Sequence, residues 1–271
     1  MAQGVGDGGF APVTHARLLA IAAPVTLANL STPLLGIVNA AVIGRLGDTV
    51  LLGAVALGAV VFDILFWSFG FLRMGTAGLT AQAYGAQDEG ELRSAFLRAL
   101  LVAAAIGGGI ILLRDPLGAI TISFMRPSAE VARAAQEYFQ ARIWAAPLAL
   151  ANYAVLGSLV GRSRADLGLI AQIVINLANA ALSVLFVSVW NFGVAGVAWA
   201  SVIAEAVGLV IGLVIQARAG LFRGAQWTAV LDRRRMWRTL AVNRDIFLRT
   251  IALIAAIAFF TRQGSQAGDA V

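Results

Sequence analysis

From Arg17 to Gln216 the chain alternates long apolar stretches with short arginine-bearing joints, six times over, and then opens a seventh stretch. An α-helix needs a run of roughly 20 apolar residues to cross the hydrocarbon core of a bilayer. Six such runs in 271 residues leave no room for a soluble domain of useful size. The chain therefore reads as an all-α polytopic membrane protein, a six-helix transmembrane bundle followed by a partial seventh helix. The expected spans are Leu18 to Ile43, Val50 to Leu72, Phe96 to Leu113, Ile143 to Val160, Leu167 to Val189 and Val194 to Ile215.

Composition enters where it excludes alternatives. Hydrophobic residues are 60% and charged residues 13% of the chain, against a charged share of about 25% in soluble domains. The 29 glycines suit helices that pack in lipid, where small residues let backbones approach. A net charge of +6 would point to nucleic acid in a soluble protein. Here the arginines sit at the ends of apolar runs, where they face lipid headgroups and set orientation, so no nucleic-acid partner is expected. The lack of cysteine excludes disulfides and thiolate metal sites.

Counting arginines joint by joint gives the topology. With the N-terminus inside, the inner joints hold Arg17, Arg93, Arg98, Arg162, Arg164 and the eight from Arg218 to Arg249, and the outer joints hold Arg45, Arg114, Arg126 and Arg133. That imbalance predicts a cytoplasmic N-terminus. It also orders the chain into a glycine-rich tail (1–16) with no signal-peptide features, a six-helix lobe (17–217), an arginine-rich cytoplasmic linker (218–249) and a segment (250–271) that starts a second lobe. The apolar run from Thr250 to Phe260 is half a span, closed by Arg262, and reads as an interruption. A single cysteine in place of Arg234 is expected to resist an impermeant maleimide in intact cells. Labelling there would reverse the orientation.

Few residues could carry chemistry. The only histidine, His15, lies in the tail, and neither cysteine nor lysine is present. Histidine triads, zinc motifs and Ser–Lys dyads are thus excluded, no metal site is expected, and the chain does not read as an enzyme. Asp63 and Glu205 lie mid-span, where an ionisable group is expensive and marks a cavity or a pair. Each is either a proton carrier or a structural carboxylate paired with an arginine such as Arg73 or Arg142. Asn39, Asn152, Asn176, Asn179 and Ser183 offer neutral oxygens. Asn176, Asn179 and Ser183 recur at helical spacing on one face of span five, which is either helix–helix glue or the wall of a wet cavity. Pro24 and Pro33 each remove a backbone hydrogen bond from span one and make it a candidate gate.

At these residues a resemblance becomes specific. The stretch 33–47, PLLGIVNAAVIGRLG, resembles the first-helix signature of the MATE (multidrug and toxic compound extrusion) transporters. The stretch 71–86, FLRMGTAGLTAQAYGA, is similar to the end of the second helix in the DinF-like branch; 193–201, GVAGVAWAS, and 243–249, NRDIFLR, resemble the starts of the sixth and seventh helices. The resemblance implies twelve helices in two lobes, of which this chain is the N-terminal lobe and the opening of the next. It implies efflux of small organic cations from the bacterial inner membrane by antiport, with H+ or Na+ as coupling ion and no cofactor. Its partners would be the bilayer and a second lobe, or another copy of the chain. Where the family carries an aspartate in helix one this chain has Asn39, and where it carries one in helix five the chain has Ser183. Asn179 and Ser201 match the accompanying asparagine and threonine. Such a neutral set can coordinate sodium but cannot carry a proton at physiological pH, so proton coupling would fall to Asp63 or Glu205. Two other functions remain open. One is a lipid-intermediate flippase of the same fold group. The other is a non-transporting remnant, or a half-transporter that needs a second lobe.

Overall fold

The structure is a computed structural model that describes residues 15–224 and 226–268, all of them in helices and the turns between them. The expected tail lies outside the described residues up to position 14. Helix starts follow their caps. Asp48 accepts from the Val50 and Leu51 amides (2.8 and 3.2 Å), Asp88 from Glu91 (2.8 Å), Ser128 from Val131 (3.4 Å) and Asp232 from Arg235 (2.8 Å). Each satisfies donors that the first helical turn leaves without a partner.

The helices are α1 (His15–Gly44), α2 (Thr49–Ser68), α3 (Phe71–Gly85), α4 (Glu89–Leu112), α5 (Arg114–Met125) and α6 (Ala129–Arg142). They continue with α7 (Ala146–Gly161), α8 (Ala165–Val184), α9 (Gly193–Arg218), the short α10 (Trp227–Val230) and α11 (Arg233–Gly268). Among the described residues, five stretches are long and apolar enough to cross a membrane: Thr49–Gly85, Glu89–Leu112, Ala129–Gly161, Ala165–Val189 and Gly193–Arg218. The first expected span lies on α1, a single helix of 30 residues that runs through Pro24 and Pro33. Side chains that face outward, such as Leu112, Ile120, Phe124, Ile170 and Val210, are large, apolar and exposed, as a lipid-facing surface requires.

Two span boundaries differ from the sequence expectation, for one reason. The sequence reading ended the second span just before Arg73 and began the fourth just after Arg142. The structure carries both spans past those arginines, to Gly85 in one case and back to Ala129 in the other. Both arginines line a cavity between helices, and the turn at Phe69–Gly70 just before Arg73 leads on into α3 without ending the apolar stretch. The chain passes Arg142 through a 3-10 turn at Ile143–Ala145 and goes straight on into α7.

A tight seam joins α3 and α7. A Cβ added at Gly157 would lie 2.5 Å from the Arg73 carbonyl oxygen, and one at Gly161 2.6 Å from that of Ala77. Gly157 and Gly161 are four apart, so both face α3 and let the two backbones touch. In lipid, where apolar surface supplies no push between helices, this close approach is what holds a pair together.

The segment after α9 is docked to the lobe. Arg98 of α4 is 1% exposed. Its guanidinium donates to Thr239 Oγ1 (3.3 Å) and to the Ala229 carbonyl (3.1 Å), and pairs with Glu91. Glu91 also binds Arg235 (2.7 Å), Arg238 donates to Gln82 (2.8 Å), and Phe247 meets Phe71 edge-on at 5.5 Å. Thus α10 and the first turns of α11 are clamped across α3 and α4.

Candidate functional site

The helices enclose a cavity of about 1140 Å³. Part of its apolar wall is aromatic, built from Phe62, Phe66, Trp67 and Phe71 on α2 and α3. Phe62 packs on Phe139 (5.2 Å between ring centres) and on Tyr138 (6.1 Å), which fixes α2 against α6. Gly58 makes that approach possible, because any Cβ there would run into the Tyr138 ring.

The two mid-span carboxylates share this cavity. Asp63 projects from α2 and is exposed to it, and Glu205 projects from α9 and is half-buried. The Asn152 amide of α7 donates to Glu205 Oε2 (2.8 Å) and to the Glu205 carbonyl (3.0 Å). That bond tethers the carboxylate to one wall and leaves it further acceptor capacity.

Three arginines line the same space: Arg73 from α3, Arg142 from α6 and Arg249 from α11. The Arg142 guanidinium sits over the faces of Phe62 (5.6 Å) and Phe66 (5.4 Å), a cation–π seat that keeps a charge at this depth. Tyr153 and Gln172 add further polar lining. Sequence reasoning named Arg73 and Arg142 only as partners for the carboxylates, and it missed Tyr138, Tyr153 and Arg249. A usable signal existed for Arg142: it lies four residues after Tyr138, on the same face of an unbroken helix.

The neutral candidates form two buried pairs. Ser183 Oγ donates to Asn39 Oδ1 (3.0 Å), joining α8 to α1. Asn179 Nδ2 donates to Ser201 Oγ (2.7 Å), which donates to the Val197 carbonyl (3.0 Å), joining α8 to α9. Asn39, Asn179 and Ser201 border the cavity, and Ser183 is fully buried behind it. Asn179 Oδ1 is buried and accepts no hydrogen bond among the described residues. Asn176 instead accepts from Gln172 (3.0 Å). Of the candidate gate, Pro24 borders the cavity; the side chain of Pro33 lies outside the described residues.

Comparison with known proteins gives the lineage. The family model described as MatE matches residues 24–185. The chain belongs to the MatE family. It is 38% identical over 251 residues to DNA damage-inducible protein F of Escherichia coli K12, covering 92% of this chain and 55% of that protein. It is 24% identical over 241 residues to Protein DETOXIFICATION 47, chloroplastic, of Arabidopsis thaliana, covering 88% and 44%. The chain thus spans about half the length of the curated relatives it matches. Among solved structures it matches MATE in the bent conformation with a TM-score of 0.78 at 20% identity, over 92% of this chain and 58% of that one. It matches a MOP superfamily transporter from Pyrococcus furiosus with a TM-score of 0.76 at 20% identity, over 90% and 54%. The expected resemblance, including its DinF-like branch, therefore stands, as does the all-helical membrane fold. MatE is a transporter family and not an enzyme family, and the chain is a multi-pass membrane protein within it.

Proposed function

We propose that the chain forms the N-terminal lobe (17–217) of a transporter that expels small organic compounds by antiport with H+ or Na+. In this reading segment 218–249 is the inter-lobe linker and 250–271 opens the second lobe. The lobe sits in a bacterial inner membrane with its N-terminus in the cytoplasm. One observation carries the proposal: a cavity of drug-sized volume, about 1140 Å³, that joins an aromatic wall to two carboxylates. Aromatic faces take the apolar body of an organic cation, and a carboxylate takes its charge. Asp63 and Glu205 take up protons in exchange for the cargo, and the Asn39–Ser183 and Asn179–Ser201 pairs supply neutral oxygens suited to sodium. Ethidium titrated into the purified chain is expected to bind in the micromolar range, and Glu205→Gln is expected to weaken it about tenfold, one lost charge pair being worth about that much. Equal binding by the variant would remove Glu205 from the cargo site.

The three arginines in the cavity favour a second reading, a lipid-intermediate flippase, because a phosphate headgroup would find guanidinium partners there. Retention of a phosphorylated polyprenyl lipid with no ethidium binding would select it.

A further inference from the structure

Asp63 and Glu205 project from different helices, α2 and α9, and the same arginine acts on both. Arg142 lines the same cavity as both and lies within electrostatic reach of each. It stands at the end of α6, which packs against α2 on one side and α9 on the other. The same cavity is lined by Tyr138 from the helix of Arg142 itself, Asn152 and Tyr153 from α7, Gln172 from α8, Arg73 from α3 and Arg249 from α11. The Arg142 guanidinium rests on two aromatic faces, and its buried Nη1 makes no hydrogen bond among the described residues. A guanidinium held by ring faces is positioned without being locked.

We propose that Arg142 is a resident counter-cation of the cavity: it neutralises Asp63 and Glu205 when no cargo is bound, and an incoming organic cation must compete with it for their charge. The inference rests on the cargo-site reading above and adds a residue to it. Two carboxylates alone would hold a bound cation too firmly to release it, and would make the empty cavity costly at mid-membrane depth. A tethered arginine removes both problems. It compensates the carboxylates in the empty state, and it returns to them as the cargo leaves. It sets the electrostatic threshold for binding and leaves proton exchange to Asp63 and Glu205.

A competitor and a structural prop have opposite signatures. Ethidium binding to the purified full chain, followed by fluorescence at pH 8, separates them. Removal of the competitor by Arg142→Ala is expected to tighten binding about tenfold or more, while Arg142→Lys, which keeps the charge, is expected to stay within about twofold of the unsubstituted chain. Arg142→Gln keeps polar contact with Tyr138 without the charge and is expected to behave like Arg142→Ala; it serves if the alanine variant does not fold. Weaker or unchanged binding in folded Arg142→Ala or Arg142→Gln protein, with binding intact in the unsubstituted chain, would overturn the role of Arg142 alone. No ethidium binding by any folded form, the unsubstituted chain included, would overturn the cargo-site reading and this inference with it.

Discussion

Gly161→Ile is expected to abolish the folded protein. At this position a Cβ would sit 2.6 Å from the Ala77 carbonyl oxygen and 2.7 Å from Thr80 Cβ. The first of these is backbone in the middle of α3 and cannot move aside, so the two helices would have to part. Overpacking in an adaptable core costs about 1–3 kcal/mol. Against rigid backbone, with the seam at Gly157 pulled open as well, the loss reaches several kcal/mol, a large share of the roughly 5–15 kcal/mol that holds a typical domain together. The seam also fixes α7 beside Arg73, so the cavity would lose its geometry along with the lobe. Detergent-extracted protein, followed by fluorescence-detected size exclusion, is expected to lose its monodisperse peak. Gly108→Ala is the matched control, because a Cβ there meets nothing within 4 Å. A monodisperse Gly161→Ile protein that melts at the unsubstituted temperature would sink the argument.

The double substitution Asp63→Asn, Glu205→Gln is expected to bring proton-driven export by a transport-competent assembly down to background. Both changes are nearly isosteric. A glutamine at 205 can still accept from the Asn152 amide, and Asp63 is exposed to the cavity, so the fold is retained while the capacity to exchange protons is removed. Everted vesicles energised by a pH gradient, with ethidium as cargo, give the measurement. Undiminished proton-driven uptake would eliminate both carboxylates as required carriers. A sodium-driven transporter would instead be most sensitive at Asn39, Asn179 and Ser183, because neutral oxygens bind sodium without titrating.

How much of this was written legibly in the chain depended on the length scale. Apolar runs of membrane length stand out against everything a soluble fold would tolerate, so five of the six expected spans recur among the described residues as stretches long and apolar enough to cross a membrane. Their limits could not be read at Arg73 and Arg142, where a charge looks like the edge of the bilayer. An arginine can sit at depth once helices enclose a polar cavity, and the cavity exists only after α2, α3, α6, α7 and α9 have come together. The segment from Arg218 to Arg249 shows the same limit from the other side. Its arginines suit a solvated linker, yet Arg235 and Arg238 are partnered to Glu91 and Gln82, residues about 144 and 156 positions earlier in the chain. Charges one by one were visible; their partners were not. Asn39 and Ser183 stood out as polar residues within apolar spans and were matched by resemblance to helices one and five, and only the fold shows that they touch.

The clamp around Arg98 gives α11 the mechanics of a lever. Its fulcrum lies at Thr239, and the helix runs on for roughly 44 Å to Gly268 at about 1.5 Å per residue. Arg249, Thr250 and Leu253, which form part of the cavity wall, ride on the short arm just beyond the fulcrum. A tilt of about 10° would shift them by about 3 Å and the far end by about 8 Å, taking the same rise per residue. Any tilt about that clamp would couple small displacements at the cavity wall to larger ones at the end of the helix.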